Sequence, residues 1–186
     1  NIEIPKRYEF TSITDAISYV NELTYEDPGI ILKRFNDGDI KRAKLQNPNY
    51  TYVKNLKGNS RNLKYLFIEL RKNNNVNEYL EYYPEHKEIF SILLKNIYDL
   101  TKKLFNYYQN FRVKKTIQYN DIEYQYRPLV FELHGIYLKK KTIITLAKVK
   151  EFVNTMDTPQ LIYTLNYRDL DNKDTNKNDI KDNITE

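Results

Sequence analysis

Three cations, Lys41, Arg42 and Lys44, follow an Asn36-Asp37-Gly38 turn signal on the second arm of a tight hairpin, in GIILKRFNDGDIKRAKLQNPNY over residues 29–50. Side chains of this type and spacing can neutralise phosphate oxygens, or they can keep a strand edge soluble. The choice recurs downstream. Lys54, Lys57, Arg61, Lys64, Arg71 and Lys72 follow with Glu69 as the single acid between Lys41 and Lys72. Solvated helix faces usually mix signs, so a basic run without interleaved acids points to an anionic polymer. The expected nucleic-acid-binding set is Lys41, Arg42, Lys54, Lys57, Arg61 and Lys64, with RNA or DNA as partner.

Other chemistry-bearing side chains have structural readings. His86 and His134 are single and far apart in sequence, which suits neither a metal site nor an acid–base pair. His134 follows Leu133 in a helical pattern and is expected to be a satisfied, partly buried imidazole. Asp37 and Asp39 flank a hairpin glycine, where turn chemistry accounts for them. Glu85 and Glu88 belong near a helix start, where carboxylates complement the dipole. Tyr82-Tyr83 and Tyr107-Tyr108 could stack on bases, but beside Leu and Ile at helical spacing they read as core. Lys139-Lys140-Lys141 reads as a solvated loop. No catalytic residue, metal ligand or cofactor is assigned to this chain.

The elements that must position these residues follow from period and punctuation. Ser12 precedes Asp15 as a variant capping box, and Ile13, Ile17, Val20 and Leu23 recur at helical spacing, which predicts a helix over 13–23 after a strand at Tyr8–Phe10. Pro28-Gly29 breaks it. Strands are predicted over 29–35 and 40–46 around the Asp37-Gly38 turn, and Asn-Pro-Asn-Tyr reads as a stop. After Gly58 the period becomes helical throughout. Helices are expected at 60–72, 77–83, 85–111 and 128–138. Another is capped by Thr142 or Thr145 with Leu146, Val149, Val153 and Met156 inward. A last one enters at Asp157-Thr158-Pro159. The fold class is α+β and mostly helical: a small N-terminal hairpin-plus-helix remnant over 1–57, an all-α domain over 58–170, and a disordered polar tail over 171–186.

With 186 residues, 40% of them hydrophobic, the chain can bury a core, and no apolar run is long enough for a membrane helix. The net charge of +5 is concentrated in the middle. Absence of Cys excludes a disulfide framework and a thiolate zinc site, and fits a reducing compartment, the cytoplasm. Eighteen Tyr and no Trp, with abundant Asn, Lys and Ile, suit an AT-rich genome. Asn1 to Pro5 read as mid-chain sequence, which leaves two alternatives open, a complete chain and a piece of a longer protein.

The Gly-apolar-apolar strand, the turn, the basic strand with Lys44, and Asn47-Pro48-Asn49-Tyr50 together resemble the end of the nucleotidyltransferase domain of ATP-dependent RNA ligases of the phage and giant-virus type. Tyr82-Tyr83-Pro84-Glu85-His86-Lys87 resembles a stretch at the start of that family's helical C-terminal domain. The likeness covers about residues 5–90. It implies a phosphate-binding role for Lys44, the first of the family's two strand lysines. The second falls on Gln46, and the strand-opening Glu falls on Pro28. Phe35 stands before Asp37-Gly38 where the family's nucleophilic Lys would be, so no phosphoramidate adduct can form on this chain. The resemblance implies an RNA-ligase-like region that binds nucleic acid without catalysis of its own. ATP and Mg²⁺ would belong to an upstream catalytic part, and the host cytoplasm would be the setting of a viral chain. Two other readings stand beside it: a viral helical interaction or scaffold protein, and the C-terminal portion of an active RNA ligase.

Overall fold

A computed structural model of the chain describes residues 5–36 and 38–167. The expected tail at 171–186 lies outside them. The fold is α+β and mostly helical, with one two-stranded antiparallel sheet and eight α-helices among the described residues. The chain divides into two units with the boundary between Ser60 and Arg61; the sequence pattern had put it at 57–58.

The first unit holds α1 (Ile13–Asn21), β1 (Gly29–Asn36), β2 (Asp39–Gln46) and α2 (Pro48–Lys57). Ser12 caps α1, its Oγ accepting from the Asp15 amide at 3.1 Å. Asp15 in turn accepts from the Thr11 hydroxyl, and these hydroxyl contacts hold its carboxyl below the usual carboxylate range. Residues 8–10 form no strand. Tyr8 and Phe10 instead pack on Tyr19 of α1, with ring centroids 4.9 and 5.5 Å away. Asn47-Pro48, expected as a stop, starts α2. The Asn47 side chain caps the Asn49 amide at 2.9 Å, and Pro48 occupies the first turn, where a missing N–H costs nothing.

The second unit is all α. It contains α3 (Leu63–Lys72), α4 (Val76–Tyr82), α5 (Lys87–Tyr108), α6 (Arg127–Lys140), α7 (Leu146–Thr155) and α8 over residues 158–167, with a 3₁₀ turn before α5 and a π turn and two 3₁₀ turns between α5 and α6. Its core runs along α5 through Phe90, Leu93, Ile97, Leu100 and Leu104, which recur every three or four residues and face Phe67 of α3, Leu129 and Leu133 of α6, and Val149 and Val153 of α7. Thr145 caps α7, its Oγ1 accepting from the Lys148 amide. Leu146, expected inward, is 38% exposed, because the first turn of α7 precedes the buried Val149–Val153 stripe. Lys139 and Lys140 complete the last turn of α6 rather than a loop, and Lys141 ends it in the left-handed conformation. Among the described residues no helix is long and apolar enough to cross a membrane.

Candidate nucleic-acid interface

Gly29 and Asn47 fix the root of the ribbon. Gly29 has φ +112°, and a Cβ there would lie 2.2 Å from the Leu45 carbonyl oxygen, so no side chain fits. Asn47 is fully buried. Its Nδ2 donates to the carbonyls of Thr24 (2.6 Å) and Asp27 (2.9 Å), and its backbone N–H donates to Pro28 (3.3 Å). One amide thereby ties the segment after α1, the entry to β1 and the start of α2 into a rigid base.

From that base the ribbon projects with a defined register. Asn36 pairs with Asp39, Phe35 with Ile40, Arg34 with Lys41, Lys33 with Arg42, Leu32 with Ala43 and Ile31 with Lys44. Directly opposed residues share a face, and successive residues alternate between faces. One face therefore carries the half-buried Ile30, Leu32 and Leu45, together with Arg34, Lys41 and Asp39. The other carries Ile31, Lys33, Phe35, Ile40, Arg42 and Lys44, all exposed, and no carboxylate among the described residues. Ile31 and Phe35 are 65% and 67% exposed.

Cations oppose cations on both faces, Lys33 against Arg42 and Arg34 against Lys41. Like charges directly across an antiparallel pair are destabilising, and a two-stranded ribbon is marginal to begin with. None of the ion pairs found among the described residues neutralises these four. An anion placed along the ribbon would remove the repulsion.

The expected site residues are distributed as follows. Lys41, Arg42 and Lys44 are exposed on β2; Lys41 turns to the face opposite Arg42 and Lys44. Lys54 and Lys57 are exposed in the last turn of α2, where cations also complement the helix dipole. Arg61 is exposed ahead of α3 and belongs to the second unit with Lys64. Lys64 is half-buried and donates to Asn166 Oδ1 at 2.6 Å. The rest of the α3 basic face is engaged likewise. Arg71 donates to Asn154, and Lys72 donates to Thr158 at 2.7 Å while Thr158 donates to Glu69. These side chains clamp α3 to residues 154–166, so the acid-poor composition of α3 serves internal hydrogen bonding.

Sequence reasoning left out Lys33, Arg34, Phe35 and Ile31. The signal was present: with Asp37-Gly38 as a two-residue turn, counting outward from Asn36 and Asp39 sets every pair of the ribbon.

The histidines and tyrosines hold structural positions. Tyr79, fully buried, has its phenol pushed up to about 12, first by burial, and lies 2.7 Å from His86 Nδ1. Tyr83, His86 and Phe90 stack around it. Tyr107 donates to Glu123 at 3.1 Å, and Tyr108 is buried. His134 departs from expectation: its Nδ1 is buried and finds no hydrogen-bond partner. Among the described residues no cluster of three or more His, Cys, Asp or Glu could hold a metal.

Comparison with protein-family models, with curated proteins and with solved structures finds no match to this chain.

Proposed function

We propose that this chain is an RNA-ligase-like region that binds nucleic acid through its basic ribbon and performs no nucleotidyl transfer of its own. The observation that carries the reading is the carboxylate-free face of the ribbon, where Lys33, Arg42 and Lys44 stand in register with no partner charge among the described residues. A phosphodiester backbone supplies the missing charge without needing a pocket, and counterion release supplies the free energy. Lys44 is the residue the family resemblance assigns to phosphate. Phe35 in place of a nucleophilic Lys, Gln46 in place of the second cation and Pro28 in place of the Glu support binding without catalysis.

The test is a salt series of fluorescence anisotropy with single-stranded RNA, on wild type and on the Lys33→Gln, Arg42→Gln, Lys44→Gln variant. Each phosphate contact contributes about 0.7 to the slope of log K against log salt, so the variant's slope is expected to flatten by roughly 2. Identical slopes would remove the ribbon from the interface. A second reading, a helical interaction protein, draws on Leu94 and Tyr98, which are exposed one turn apart on α5. It becomes the better account if wild type binds no nucleic acid at about 50 mM salt, where phosphate contacts are strong.

A further inference from the structure

The apolar side chains of the basic face stay largely in solvent, Ile31 at 65% and Ile40 at 46% exposure. Phe35 is 67% exposed, lies opposite Ile40 and makes no ring contact among the described residues. The next pairs inward on the same face are Lys33 with Arg42, then Ile31 with Lys44. Asp39 is on the opposite face by the alternation of the strand, so among the described residues of the ribbon no carboxylate shares the ring's face. An exposed aromatic next to cations on a strand surface has the composition of a base-stacking platform: the cations track the backbone while the ring receives a base. A paired base in a duplex offers only its edges to such a surface, whereas an unpaired base offers its π-face. We propose that the ribbon binds single strands, with an unpaired base stacked on Phe35 and the adjoining phosphates on Lys33, Arg42 and Lys44. The inference rests on the nucleic-acid reading above and adds the form of nucleic acid and the residue that selects it.

The experiment compares wild type with Phe35→Leu and Phe35→Tyr in the full chain. The probe is a labelled single-stranded RNA of about 12 nucleotides, within the usual site range, with its unlabelled duplex as competitor. Loss of one stacked base is worth roughly five- to hundred-fold in affinity. Phe35→Leu keeps apolar bulk at the Ile40 pair and is expected to lose that factor with its salt slope unchanged. Phe35→Tyr keeps the ring and should stay near wild type. The duplex should compete poorly. A Phe35→Leu variant that binds like wild type, or a duplex that competes as well as the single strand, would overturn the stacking proposal while a steep salt slope keeps the phosphate reading. Absence of wild-type binding at about 50 mM salt would overturn both.

Discussion

His134 is the residue whose environment departs most from its sequence pattern. Leu133-His134 on a helical repeat reads as a satisfied imidazole, yet Nδ1 is buried without a partner, as is Nε of Arg112. Burial first, and then the Arg112 charge, hold the His134 pKa below its ordinary value. Tyr108 and Tyr137 pack on the ring, with centroids 6.4 and 5.7 Å away. Arg112 is presented there by a π turn, Gln109–Val113, which lays its guanidinium 4.6 Å from the Phe131 ring. The sign of the pH effect follows. The unfolded chain takes up the proton near the ordinary value of about 6.5 while the folded chain resists it, so stability rises with pH. His134's contribution is complete above that pH and is lost as pH falls toward the depressed folded value. Urea midpoints at about pH 8 and about pH 5.5, on either side of that value, should therefore differ more in wild type than in His134→Gln. Equal pH sensitivity in the two would contradict the assignment. Nothing in residues 109–113 announces a π turn, because their spacing fits an ordinary helix as well, so this site was out of reach of sequence reasoning.

At the scale of elements, the like-charge pairs of the ribbon set its stability against the proposed binding. Arg42→Glu turns the Lys33 pair from repulsive to attractive, a change of about 0.2–1 kcal/mol for a cross-strand pair. It should slow amide exchange within β1–β2 by up to about five-fold while weakening nucleic-acid binding. Faster exchange with unchanged binding would show that the cations serve solubility alone. The ribbon itself was legible, since Asn36-Asp37-Gly38 between two eight-residue β-branched and basic runs admits one register. So were the Ser12 and Thr145 caps and the α5 stripe. The start of α2 was misread because Asn-Pro can end a strand as well as cap a helix, and the deciding contacts of Asn47 reach back across the hairpin to Thr24 and Asp27. The hydrogen bonds of the α3 cations were out of reach of the sequence for a similar reason. Their partners Asn154, Thr158 and Asn166 lie more than eighty residues away in sequence.

For the whole molecule, burial is concentrated in the second unit. Among its described residues the first unit buries Ala16, Val20 and Val53 as its apolar residues, with Asn47 as its polar centre. Its ribbon leaves an apolar and cationic face uncovered within that unit. A chain that spends so little of this surface on its own folding has it available for a polyanion, and that availability is the central claim. Photo-crosslinking with a single-stranded RNA carrying 4-thiouridine, followed by peptide mapping, tests it most directly. Adducts should map to residues 29–46 and should be strongly reduced in Arg42→Glu. Adducts confined to residues 61–167, or equal adduct yield in wild type and variant, would contradict the account.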